Sequence, residues 1–368
     1  MPDCQSAVPM PRVARCPIYP HFFTCGDAHT MTTNPLSGWQ VDRAQIKTIG
    51  KDLQRPECIL AQRDGSLLVA DARGGVMQID ADGAQRLIVP TRSESPAGQD
   101  GFEDRYIAAK GSLPNGLALM ENGDILIANW GTDSVELMTR EGTLRTLYTE
   151  IDGRPIGKAN FVMRDSQGRV WLTVTTRMNP WTDSINSGVL DGYIALMDEQ
   201  GIRIVAEGFG GTNEIRFDAN EEWLYVVESN ARRISRLRAA EDGTLHSREV
   251  YGPSELEGFP DGFAFDAHGN LWVTLIMSDK LIAITPDGEV LTLLDDGNPE
   301  ATACLNQHFA KKTLTPDIML AAKGPLAPWM ASLTFGGPDL RTVYLGSLMG
   351  TTIPYFRSPV PGLPLIHW

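Results

Sequence analysis

A short phrase recurs along this chain, and it limits the possible folds more than any other feature. It is clearest at Asp261-Gly-Phe-Ala-Phe-Asp-Ala-His-Gly269, followed by Asn-Leu-Trp-Val-Thr274, with echoes that begin at Glu57, Asn115, Asn160 and Asn213. A glycine stands eight residues after the leading polar residue at Gly65, Gly123, Gly168 and Gly269. Between the two, apolar and polar residues alternate with the period of a β-strand, and a second β-rich run such as Val170-Trp171-Leu172 follows. Asp64-Gly65 and Asn122-Gly123 are hairpin turn signals, because these residues tolerate positive φ. Each phrase therefore predicts a hairpin whose first strand starts at the polar residue.

The phrases begin 58, 45, 53 and 48 residues apart, and a weaker sixth copy starts at Ser332 and runs through Gly336-Gly337-Pro338-Asp339 to Thr342-Val343-Tyr344-Leu345. A period of roughly 40 to 50 residues with about four strands is that of a propeller blade. The expected fold is all-β: a six-bladed β-propeller with four-stranded antiparallel blades around a central metal site. The copy at Asn213 carries Glu221 where the others have glycine. Residues 41–368 are expected to form this single domain. Residues 1–40, rich in Pro, Cys and Thr, read as a poorly ordered N-terminal extension, with Met31 as an alternative start. Three longer inserts interrupt the blades, at 92–112, 177–190 and 296–329, and within the last one Pro316 to Lys323 reads as helical. Loops of this length in a compact domain are usually functional or disordered.

Composition narrows the partners. The 32 basic and 46 acidic residues give a formal charge of −14, without a basic stripe or a glycine-rich phosphate loop, so nucleic acid is not an expected partner. No apolar run is long enough to cross a bilayer and the first residues lack a secretory apolar stretch, so the expected location is cytoplasmic, away from membranes. The five cysteines form no C-x-x-C pair and read as reduced thiols, Cys58 as a small buried hydrophobe.

In a propeller the inner strand of each blade starts near the central channel, so residues at one repeat position converge on the axis. Glu57, Asn160, Asn213 and Asp261 would supply two carboxylates and two amide oxygens, an all-oxygen shell for a divalent cation. Calcium suits it best, with magnesium, manganese or zinc as other occupants, and the lack of His and Cys ligands argues against a structural zinc. Any one of these residues alone is equally a turn residue; their shared register is what favours a metal. Asn115 holds the same place in the second blade, as a pocket-lining substrate contact or a turn residue. Trp181, Asn179 and His308 lie in the inserts, as substrate contacts or as rim packing. Trp171, Trp223 and Trp272 read as inter-blade core, and Asp80-Ala-Asp82-Gly83, without a terminal glutamate, as a turn.

Arg55-Pro-Glu57, Lys158-Ala-Asn160, Gly211-Thr-Asn213-Glu214, Phe259-Pro-Asp261-Gly262 and the ending Phe335-Gly-Gly-Pro-Asp339-Leu-Arg-Thr-Val-Tyr344 together resemble the senescence marker protein/regucalcin/gluconolactonase family. These are six-bladed propellers related to diisopropyl-fluorophosphatase-type phosphotriesterases. The resemblance implies metal ligands at Glu57, Asn213 and Asp261, with Asn160 contacting metal or substrate, and a lactone-hydrolysing activity with a divalent metal, commonly calcium. Where sugar-lactonase members often have Arg-x-Asn-Asp, this chain has Lys158-Ala-Asn160-Phe161, and Phe161 in place of an acid favours a more apolar lactone or ester.

The expected chemistry has the cation polarise the carbonyl, Asp261 act as general base toward water or as nucleophile, and Lys158 donate a proton or orient the substrate. Ester or phosphotriester hydrolysis at the same site, a non-catalytic calcium-binding propeller and an interaction scaffold are the other classes in play, since fold does not settle function.

Overall fold

The structure, a computed structural model, describes residues 33–90 and 111–368. The expectations for the first 32 residues and most of the first insert lie outside that range. Residues 35–368 form one compact unit.

Six four-stranded antiparallel sheets follow one another along the chain as blades. Their inner strands are Ile59–Ala61, Pro114–Leu119, Ala159–Arg164, Thr212–Phe217, Phe259–Phe265 and Met330–Gly336. The sixth blade takes its outermost strand from the other end of the chain: Lys47–Ile49 pairs antiparallel with Ile353–Arg357, Thr48 opposite Pro354. That pairing covers an edge the C-terminal strand would otherwise expose.

The residue eight positions after each leading polar residue has the same backbone in every blade. Gly65, Gly123, Gly168 and Gly269 have φ between 80° and 86°, while Glu221 and Leu340 adopt φ of 55° and 56°. Glu221 thus fills the left-handed position although it has a Cβ, and its carboxylate accepts bonds from Ser166 N at 2.9 Å and Ser166 Oγ at 2.5 Å. The stretch from Asp80 to Gly83 is a turn, closed by Gly83 N donating to Asp80 O at 2.8 Å.

The core consists of apolar layers between blades. Trp171 and Trp272 are fully buried, whereas Trp223 is half-buried, packed against the core cluster that includes Tyr225 and Phe265, with the guanidinium carbons of Arg236 and Arg238 each 4.3 Å from its ring centre. In two blades the turn aspartate reaches into this core. Asp165 accepts from Trp171 Nε1 at 2.9 Å, and Asp266 accepts from Trp272 Nε1 at 3.0 Å as well as from three backbone or amide N–H groups of its own turn. These aspartates join turn geometry to core packing.

Two helices occupy the last insert, α1 (Pro299–Ala310) and α2 (Pro316–Ala321). The second is the one anticipated. The first starts at Asn298, whose side chain accepts from Ala301 N, with Pro299 in its first turn. No helix among the described residues is long and apolar enough to cross a membrane.

Replacing Asp266 with Ala should leave the Trp272 indole N–H and the turn donors without an acceptor. We expect a loss of about 3 kcal/mol in urea unfolding, with the m-value unchanged.

Candidate active site

Every inner strand from the second blade on breaks its pairing register at the repeat position: between Pro114 and Leu117, Ala159 and Phe161, Thr212 and Ile215, Pro260 and Phe263, and Met330 and Ser332. Asn115, Asn160, Asn213 and Asp261 lie inside these breaks. A bulge leaves its extra residue unpaired and re-aims the side chain. In the first blade a tight turn does the same work, with Arg55 at φ 57° and Glu57 N donating to Arg55 O at 2.8 Å.

The side chains then form one network. Asn160 gives its amide N–H to Thr175 Oγ1 at 3.1 Å, and that hydroxyl donates to Thr212 O at 2.8 Å. Asn213 gives its amide N–H to Ser229 Oγ at 3.1 Å and to Asp261 Oδ1. Both amides are held by their nitrogen end, and Asn160 Oδ1 and Asn213 Oδ1 are buried with no protein donor. Asn115 donates to Glu57 Oε1 at 2.8 Å and to Asn160 O at 2.9 Å, while its own oxygen accepts from Arg55 Nη2. Both ends of Asn115 are therefore engaged by protein, and it spaces Glu57 from Asn160.

Three residues without a role in the sequence reading complete the network. Arg55 pairs with Glu57 Oε2 at 2.9 Å. Glu214 is buried, pairs with Arg216 at 3.0 Å, accepts from Phe263 N at 3.3 Å and is hydrogen-bonded by Ser332. The sixth copy thus meets the centre through Glu214. Gly262 is required for the close approach of these blades: a Cβ there would stand 2.7 Å from Glu214 Oε1 and 2.7 Å from Ala331 O.

Burial pushes Glu57 up to about 7, opposed by Arg55 and raised further by Glu214. Burial also raises Asp261 well above the usual carboxylate range, with the charges of Glu57 and Glu214 adding to it. Glu214 is raised by its burial against the opposing pull of Arg216. Three mutually repelling carboxylates in a water-poor space are a poor arrangement on their own and a good one for a cation.

No three His, Cys, Asp or Glu side chains among the described residues converge as a ready-made metal shell. The donors here are mixed instead. Glu57 and Asp261 could supply charge, and the partnerless oxygens of Asn160 and Asn213 could supply neutral ligands, a donor set that would suit a hard divalent ion.

Around the same strand ends lies an apolar cluster that includes Leu113, Trp130, Trp181, Phe259, Phe309 and Trp329. Trp181 is buried, edge-on to Trp130 with ring centres 5.1 Å apart. The buried Lys158 ammonium is held by Asp133 Oδ1 at 2.8 Å and Trp130 O at 3.3 Å. Phe161 packs elsewhere, in the inter-blade core with Cys58, Leu117 and Ile215, its ring 5.3 Å from the Arg216 guanidinium. The buried apolar cluster comes from strand ends and inserts, and Phe161 is not part of it. Asn179 precedes Pro180 in a cis peptide, and His308 is a half-buried residue of α1 whose ring bonds Thr313. The Arg232 guanidinium lies between Phe259 and Phe309, 4.2 and 4.3 Å from their ring centres, and donates to Asn306 at 2.7 Å, which fastens α1 to the blades. Beside it is a cavity of about 570 Å³ lined by Arg232, Glu255, Ser278 and Thr302 among others, away from the axial carboxylates.

A closed ring of six blades with acidic and amide oxygens gathered at one end of its channel defines a class of propeller with a polar centre. The chain belongs to the SMP-30/Gluconolactonase/LRE-like region family, whose pattern matches residues 33–315. The pentonolactonase XacC of Haloferax volcanii is 25% identical over 194 residues, 52% of this chain and 53% of its own length. A 6-deoxy-6-sulfogluconolactonase of Pseudomonas putida is 24% identical over 233 residues, 62% of this chain and 67% of its own length. The chain thus spans between about half and two thirds of the length of these curated relatives. Among solved structures, a gluconolactonase of Xanthomonas campestris superposes with a TM-score of 0.61 at 15% identity, covering 86% of this chain and 89% of the other. A luciferin-regenerating enzyme superposes with a TM-score of 0.62 at 13% identity, covering 87% and 98%. At such identities the likeness shows the fold.

The raised carboxylates make stability depend on pH. A buried acid whose folded pKa lies above its unfolded value keeps a proton that the unfolded chain has lost, so its contribution is present at acid pH and is lost as pH rises. For Glu57 the window runs from about 4.5 to about 7, a loss of about 3 kcal/mol. In chelator-treated protein, Asp261→Asn should raise the melting temperature relative to wild type at pH 8, with the difference shrinking toward pH 5; equal melting temperatures at pH 8 would contradict the repulsion described.

Proposed function

We propose that this chain is a hydrolase that opens a lactone ring with the help of a divalent cation, most simply calcium, held by Glu57, Asn160, Asn213 and Asp261. The observation that carries this reading is the pair of buried amide oxygens, Asn160 Oδ1 and Asn213 Oδ1, left without a protein donor beside two carboxylates raised by burial. Structural asparagines in a core are normally satisfied at both ends, as Asn115 is. The lactonase names among the relatives support the same reaction class.

When bound, the cation supplies Lewis acidity toward a carbonyl oxygen and offsets the negative charge that develops there. The protein residues do the rest. The Asn213 amide donates to Asp261 Oδ1 and so orients that carboxylate. An elevated pKa suits Asp261 to take a proton from water as it attacks the carbonyl carbon, and to return it to the ring oxygen when the acyl C–O bond breaks. Water is thereby split between the two new ends, a carboxylic acid and a hydroxyl, with no other reactant required. Lys158 is held by Asp133 and the Trp130 carbonyl at the same strand ends, and serves as a fixed positive charge toward the substrate.

The substrate class follows from the walls. Trp130, Trp181, Phe259 and Trp329 gather where the inner strands begin, two residues from Asp261 in the case of Phe259. We take this buried cluster as the apolar neighbour of the substrate, which favours a lactone with an apolar substituent over a polyhydroxylated one. The test is a pH-stat screen of alkyl lactones, aldonolactones, aryl esters and a phosphotriester, with and without calcium. Turnover of alkyl lactones is expected, lost on chelation, restored by calcium, and reduced on the order of a thousandfold in Asp261→Asn. Full activity after chelation, or in Asp261→Asn, would remove the proposal; calcium binding without turnover of any substrate would leave a binding protein.

A further inference from the structure

One buried charge has no place in a simple metal centre. Arg55 is 2% exposed and its guanidinium is fixed on acceptors from two blades. Nη1 donates to Pro114 O at 2.8 Å, and Nη2 faces both Asn115 Oδ1 and Glu57 Oε2, the latter at 2.9 Å. Its backbone is left-handed, at φ 57°, a conformation that a residue with a Cβ holds only when its surroundings require it. The turn brings Arg55 and Glu57, two residues apart, to bear on one spot: Glu57 Oε1 accepts from Asn115, while Oε2 faces Arg55 Nη2 at 2.9 Å as an ion pair and accepts no hydrogen bond.

We propose that Arg55 is an internal cation that stands in for part of the divalent ion's charge beside Glu57, organising the centre when it is empty and weakening its affinity for the ion. This rests on the cation reading given above. Of the three buried carboxylates, Glu214 is already paired with Arg216, and Arg55 does the same for Glu57, so among the described residues Asp261 alone of the three makes no ion pair with an arginine. An arriving dication meets a fixed positive charge next to one of its ligands, in surroundings where water screens little. Glu57 must then share an oxygen between the ion and the guanidinium. The result is a centre that is pre-organised but binds loosely, so that its occupancy follows the surrounding cation concentration instead of being permanently saturated.

A purely structural Arg55 would behave differently. It would tie the first blade to the second, and its removal would lower stability by the same amount with or without the cation. The two roles are separated by titrating calcium chloride into chelator-treated protein by calorimetry, alongside melting curves with and without calcium, for wild type, Arg55→Met, Arg55→Gln and Arg55→Lys. If Arg55 acts as an internal cation, Arg55→Met and Arg55→Gln melt below wild type when empty, bind calcium on the order of tenfold or more tighter, and regain most of the lost stability when loaded. Arg55→Lys keeps the charge and stays near wild-type affinity. Unchanged or weaker calcium binding in both neutral variants overturns the inference while the cation reading stands. Wild type that binds no calcium, magnesium or manganese removes the cation reading and this one with it. Arg55→Gln keeps hydrogen-bonding capacity and decides the matter if Arg55→Met does not fold.

Discussion

Three carboxylates, Glu57, Glu214 and Asp261, are buried together at the axis of the ring, and much of the surrounding structure is arranged to keep them there. Glu228 shows that the protein can bury an acid at little cost. Glu228 accepts from Gly210 N and Ser235 Oγ and pairs with Arg233 and Arg248, and it lies below its ordinary value despite its burial. The acids of the centre have fewer donors, so burial pushes all three upward, with repulsion between carboxylates adding to it for Asp261 and Glu57. The contrast sets these acids apart more firmly than acidity alone would. A fold able to satisfy Glu228 that gives Asp261 one side-chain donor among the described residues, Asn213, has left capacity there for something else.

Much of the architecture can be read from one spacing. The interval of eight residues marks a backbone position as well as a residue type, which is why Glu221 and Leu340 take the left-handed conformation in the copies that lack glycine there. The ring-closing pairing of Lys47–Ile49 with Ile353–Arg357 was invisible because it joins chain ends through three residues with no motif of their own. Helix α1 did carry a readable signal, Asn298 followed by Pro299 and Glu300, an N-cap, a first-turn proline and an acid in the first turn.

The site was legible in part, for a physical reason. The leading residues of the repeats announce themselves by position, but their partners do not. Arg55 meets Asn115 across 60 residues, Asn115 meets Glu57 across 58, and Glu214 meets Phe263 across 49. Such contacts are set by how neighbouring blades pack, and a single sequence contains no local trace of them. Phe161 shows the opposite error, a correct neighbour read in the wrong place. Successive residues on a strand point to opposite sides, so while Asn160 faces the centre Phe161 enters the core between blades.

The apolar mouth and the polar centre are built by different parts of the chain, and this gives them independent freedom to vary. The centre is held by inner-strand bulges, where a shift of one residue would displace a donor from the axis. The mouth is held by inserts that touch the blades at a few strong points. Asp279 accepts from Gly324 N at 2.6 Å, Trp329 N at 3.0 Å and Met330 N at 2.9 Å, and so pins the end of the last insert. Arg232, between two phenylalanine rings, pins α1. Changes between those anchors can reshape the walls without moving Asp261 or Asn213, because the anchors bond to backbone at the strand ends and to the helix, and none of them bonds to the donors themselves. On the proposed reading, substrate preference and reaction chemistry would therefore be set by different parts of the chain.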